Sequence, residues 1–106
     1  MTKHELRFTP EAKRNIDELE RTPSKTGVLR QVRKTLGLLE TNLRHPSLNT
    51  HRFESLVGPN GEDVFEAYAQ QHTPGAYRVF FYYEPDRRQG QRRIAVLTIV
   101  AITPHP

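Results

Sequence analysis

Apolar positions recur every three or four residues in the first half of the chain and every second residue in the latter part, so helices are predicted first and strands afterwards. Leu6-Arg7-Phe8 is a short candidate strand. Thr9 then caps a helix, with Pro10 suited to its first position and Glu11 to its positive end. Ala12, Ile16 and Leu19 carry the apolar stripe of this helix. It is expected to stop near Arg21-Thr22-Pro23, because proline disfavours helical geometry in the residue before it. A second, longer helix is predicted to start around Thr22 to Ser24, to carry Val28, Val32, Leu36, Leu39 and Leu43, and to end at His45-Pro46. Two amphipathic helices joined by a short Pro/Ser turn read as a helical hairpin.

Leu48-Asn49-Thr50-His51 reads as connecting chain, and residues 52–57 alternate as a strand. Gly58-Pro59-Asn60-Gly61 is a turn, with Asn60-Gly61 suited to positive φ. The next strand, 63–69, places Phe65, Ala67 and Ala69 on one face and Val64, Glu66 and Tyr68 on the other. Past the turn at Thr73-Pro74-Gly75, Tyr77, Val79, Phe81 and Tyr83 oppose Arg78, Phe80 and Tyr82. Burying a lone cation is costly, so Arg78 must be paired, sit at a rim, or face a functional surface. Asp86-Arg87-Arg88-Gln89-Gly90-Gln91 reads as a polar hairpin loop. In the last strand, 92–102, Ile94, Val96, Thr98, Val100 and Ile102 alternate with Ala95, Leu97, Ile99 and Ala101. Being apolar on both faces, this strand belongs inside a sheet with one face under the helices. The prediction is a single α+β domain over residues 1–106, an N-terminal strand and helical hairpin packed on a twisted antiparallel β-sheet.

A chain of 106 residues with 35% hydrophobic content offers one modest core, and the clustering of its apolar residues argues against disorder. The absence of cysteine excludes disulfides and thiolate chemistry. The first residues lack the apolar region of a signal peptide, and no segment approaches the ~20 apolar residues of a membrane span; a cytoplasmic protein with no membrane partner is expected. The formal charge of +4 points to a polyanionic partner. After Ala67 the cations dominate, with Arg78, Arg87, Arg88, Arg92 and Arg93 against Glu84 and Asp86.

A sheet face carrying Glu66, Tyr68, Arg78 and Tyr82, with His105 at the chain end, has the ingredients for phosphodiester chemistry. A carboxylate or imidazole moves a proton, an arginine neutralises phosphate, and a tyrosine hydrogen-bonds or stacks. Structural readings stand beside these: a Glu66–Arg78 cross-strand ion pair, Tyr68 and Tyr82 as packing residues, His105 as a tail residue, His72 as a solvated loop residue, and the late arginines as a solvated run. His4, His45, His51, His72 and His105 show no short-range ligand spacing, and neither a phosphate-cradling glycine loop nor a Gly-x-Ser-x-Gly elbow occurs. Any chemistry is therefore expected to need no metal or other cofactor.

Four patches together resemble the RelE/ParE superfamily of toxins from bacterial type II toxin–antitoxin systems. They are Phe8-Thr9-Pro10-Glu11-Ala12; Asn42-Leu43-Arg44-His45-Pro46-Ser47-Leu48; Val64-Phe65-Glu66 followed by Ala76-Tyr77-Arg78-Val79-Phe80-Phe81; and Ile99-Val100-Ala101-Ile102-Thr103-Pro104-His105. Their order and spacing span almost the whole chain. The resemblance implies a RelE-like fold and a ribosome-dependent endoribonuclease that cuts mRNA with the RNA 2′-hydroxyl as nucleophile, halting translation. It implies Arg78 as the phosphate contact, Glu66 or His105 as base and acid, and Tyr68 as an orienting group, standing where many members carry an arginine. Arg52, His72, Tyr82, Arg87, Arg88, Arg92 and Arg93 make the candidate RNA-binding surface. The implied partners are a cognate antitoxin, the ribosome and mRNA. The alternatives are a ParE-like DNA gyrase inhibitor and a non-catalytic basic module that binds RNA or antitoxin.

Overall fold

The computed structural model describes residues 4–71 and 73–105. Along the chain run β1 (Glu5–Phe8), α1 (Pro10–Arg21), α2 (Thr26–Thr41), β2 (His51–Val57), β3 (Asp63–Tyr68), β4 (Tyr77–Gln89) and β5 (Arg92–Pro104), with single 3₁₀ turns at Pro23–Lys25 and Pro46–Leu48. The strands form one sheet in the order β1-β5-β4-β3-β2. β2 to β5 make an antiparallel meander, whereas β1 lies parallel to β5. The sheet is thus mixed, not wholly antiparallel as expected. Two helices and three strands separate β1 from β5, so no hairpin ties the two, and the long connection permits the parallel sense.

Thr9 caps α1 as predicted, its hydroxyl oxygen accepting from the Ala12 N–H, with Pro10 following at the start of the helix. The second helix differs from expectation at both ends. Pro23 starts a separate 3₁₀ turn, so α2 begins at Thr26, and it stops at Thr41 because Asn42 leaves helical geometry at φ −150°. His45 instead caps the short turn Pro46–Leu48, its ring accepting from the Ser47 N–H.

Ala12 and Leu19 of α1 and Val32 and Leu39 of α2 pack on one sheet face against Ala67, Val79, Phe81, Leu97, Ile99 and Ile102. The other face carries a smaller apolar cluster of Val64, Phe80 and Tyr82, flanked by Phe53, Val100 and Ala101. The alternation expected for β3 and β4 therefore holds, but that of β5 does not. Phe80 pairs with Ala101 and Phe81 with Ile99, so Val100 is an extra residue, a β-bulge. The bulge moves Ile102 onto the helix face with Leu97 and Ile99. β1 ends opposite Ile99, and α1 takes over the exposed edge: the Thr9 hydroxyl donates to the Val100 carbonyl (3.0 Å), and the Ile102 N–H donates to Asn15 Oδ1 (2.9 Å).

The loop expected at 86–91 is also shorter. Arg87 pairs with Ile94, Arg88 with Arg93 and Gln89 with Arg92, leaving a tight turn at Gly90, whose φ of 63° suits glycine. No helix among the described residues is long and apolar enough to cross a membrane.

Candidate functional site

Glu66 lies in β3 on the face away from the helices, directly opposite His51 of β2 and Phe80 of β4. Its side chain is fully buried, and a carboxylate in that position requires partners. Two histidines supply them. His105 Nδ1 lies 2.6 Å from Oε2, and His51 Nε2 lies 2.7 Å from Oε1 without hydrogen-bond alignment. Both imidazoles are about half exposed, 45% for His51 and 46% for His105. One buried carboxylate thus holds two solvent-facing rings.

Each ring arrives by a different local device. The Pro46–Leu48 turn closes on Asn49 in the left-handed region (φ 45°), which asparagine tolerates; the chain then enters β2 at His51. The Asn49 carbonyl lies 2.9 Å from His51 Nδ1. A carbonyl only accepts, so Nδ1 carries the proton of this contact. His105 follows the end of β5, its N–H donating to the Ala76 carbonyl at 2.8 Å. Its ring meets Phe53 edge-on at 6.2 Å, and Phe53 in turn meets Phe80 at 4.9 Å. If Nδ1–H donates to Glu66, Nε2 is the basic nitrogen, and it has no partner among the described residues.

Arg78 stands next to this group. The expected Glu66–Arg78 ion pair does not form, because the register sets Arg78 opposite Tyr68 and Thr103, two residues along from the Phe80–Glu66 pair. Its guanidinium stacks 3.6 Å from the Tyr68 ring centre, and Nη1 donates to the Gln70 carbonyl at 2.5 Å and the Tyr77 carbonyl at 3.3 Å. The side chain is only 8% exposed, and its Nε is buried without a partner. Tyr68 also meets the His51 ring edge-on at 5.7 Å. His105, Glu66, His51, Tyr68 and Arg78 are therefore linked in one continuous cluster.

Of the remaining predicted residues, Tyr82 is buried in the apolar cluster on the same face. Arg52 is exposed and pairs with Asp63 at 3.1 Å. Arg87 pairs with Glu5 at 2.5 Å. Arg88, Arg92 and Arg93 are exposed at the far end of the β4–β5 hairpin, away from the cluster. His72 falls outside the described residues. His51 is the residue that sequence reasoning missed. Its only signal is position: a histidine at the first residue of a strand whose neighbour carries Glu66.

The arrangement is suited to proton transfer. A carboxylate that orients an imidazole and stabilises its protonated form leaves the other ring nitrogen free to take or give a proton. An apolar pocket of about 320 Å³, bordered by Phe53, Phe80, Ala101 and Pro104, lies next to this end of the sheet. No group of three or more potential metal ligands with metal-binding geometry occurs among the described residues. Compared with family models, with curated proteins and with solved structures, the chain has no match.

Proposed function

We propose that this protein is the toxin of a type II toxin–antitoxin system, with a RelE-like fold, acting as a ribosome-dependent mRNA endoribonuclease. The observation that carries the reading is the hydrogen bond from a half-exposed His105 to the fully buried Glu66, on the sheet face that also holds Arg78. In this reading His105 Nε2 takes the proton of an RNA 2′-hydroxyl, and Glu66 stabilises the imidazolium. The 2′-oxygen attacks the adjacent phosphorus and the bond to the 5′-oxygen breaks. This leaves a 2′,3′-cyclic phosphate, and the departing 5′-oxygen takes a proton from solvent. Arg78 neutralises the phosphate, held in place by Tyr68. His51 fixes the second carboxylate oxygen and so positions Glu66.

A cognate antitoxin belongs to this proposal, with the excess of arginine favouring an acidic wrapping segment. One observation favours a second reading, that of a non-catalytic module binding RNA or antitoxin: Arg78 is largely buried and already bonded to two carbonyls.

Purified protein, intact ribosomes and a programmed mRNA make the test. Cuts within codons are expected for the wild type, and His105→Ala should lower the cleavage rate by about 10²–10⁴-fold. Folded His105→Ala protein that cleaves at the wild-type rate would overturn the assignment. Induction in cells separates the alternatives: cut transcripts for the nuclease, blocked DNA supercoiling for a gyrase inhibitor, and neither for a binding module.

A further inference from the structure

We propose that the outer part of the β4–β5 hairpin is an arm that grips the phosphate backbone of structured RNA. β1 covers β5 only over residues 96–99, and β3 covers β4 only over 78–81. Beyond them, among the described residues, 87–89 and 92–94 pair with one another alone. Pro85, with no N–H to donate, sits at the bulge between Glu84 and Arg87 where the ladder is interrupted. Every residue from 85 to 93 is exposed.

The charge of this ribbon is arranged against its own stability. Arg88 lies directly opposite Arg93, and like charges so placed weaken a strand pair. Neither they nor Arg92 ion-pair among the described residues. Arg87, bonded to Glu5, and Arg92 lie on the side of the Glu66 cluster, while Arg88 and Arg93 alternate to the helix side. Cations thus project from both faces, with no large apolar side chain between Tyr83 and Ile94. Hot spots of protein interfaces combine arginine with buried tryptophan and tyrosine, and the ribbon has no aromatic residue. A nucleic-acid backbone needs only cations and hydrogen-bond donors, and a groove with phosphates on both walls matches cations on both faces. The reading rests on the proposed RNA chemistry for the identity of the polyanion alone.

Fluorescence anisotropy of the full chain with a labelled RNA hairpin, over a range of salt concentrations, tests it. Arg88→Ala/Arg93→Ala should bind at least about tenfold more weakly, with the log–log salt slope shallower by about two; Arg92→Ala should lower the slope by about one. The double variant should melt at or above the wild-type Tm, since the opposed charges are gone. Wild-type affinity and slope in the arginine variants, no binding by the wild type, or equal binding of a polyglutamate would each overturn the proposal. RNA binding that depends on these arginines, in a protein that cuts no mRNA, would sink the nuclease reading and leave the arm standing.

Discussion

Glu66 is a carboxylate with no exposed surface, and burying a charge costs several kcal/mol unless it is fully compensated. Its two compensating groups are themselves half exposed, so removing the charge strands no buried imidazole. Glu66→Gln is therefore expected to keep or raise the Tm while lowering cleavage by about 10²-fold. A variant that loses activity only because it unfolds would contradict this, and calorimetry beside the ribosome assay distinguishes the two. Arg78 is stabilised differently, by the Tyr68 face and two carbonyls. Tyr68→Phe preserves the ring and should leave stability unchanged, whereas Tyr68→Ala should cost about 2 kcal/mol or more from a desolvated cation–π contact. Denaturant unfolding of the pair measures the difference.

At the scale of elements, α1 completes the sheet as well as covering it. Asn15 accepts from the Ile102 N–H just beyond the bulge, where no strand follows β1. Asn15→Leu would leave that donor unsatisfied and should cost about 1–3 kcal/mol, read as a lower urea midpoint. The β2–β3 turn carries a pH-dependent contribution. The Asn60 backbone N–H, above all, holds the Glu62 carboxyl below its ordinary value of 4.5. A depressed folded value stabilises above the unfolded one and is lost as pH falls through the folded one. The Tm advantage of the wild type over Glu62→Ala should therefore be present at neutral pH and shrink below about pH 4.5.

For the molecule as a whole, the helix-face core is the main source of stability, and Phe81 is its largest fully buried side chain, stacked on Phe65 at 5.9 Å. Phe81→Ala should cost about 3–5 kcal/mol, a large share of the total for a domain of this size. The opposite face is freer to specialise: its apolar cluster is small, with Glu66 and its two histidines on one side of it and the Arg87–Glu5 and Arg7–Glu84 pairs on the other. The protein thus builds its main core on one side of the sheet and carries the buried Glu66 with its two histidines on the other.

The sequence by itself determined the α+β class, the Thr9-Pro10 helix start, the strands and the shared face of Glu66, Tyr68 and Arg78. Each depends on periods and turn residues that act within a few positions. Tertiary structure alone decided that Glu66 meets His51 and His105 rather than Arg78, because cross-strand partners follow from register, and register is a property of paired strands. It also decided the bulge at Val100, which a period of two cannot reveal, and the parallel docking of β1. The 86–91 segment, polar enough to read as a loop, became a ribbon because strand pairing can continue as long as the two strands stay in register, whatever their side chains prefer.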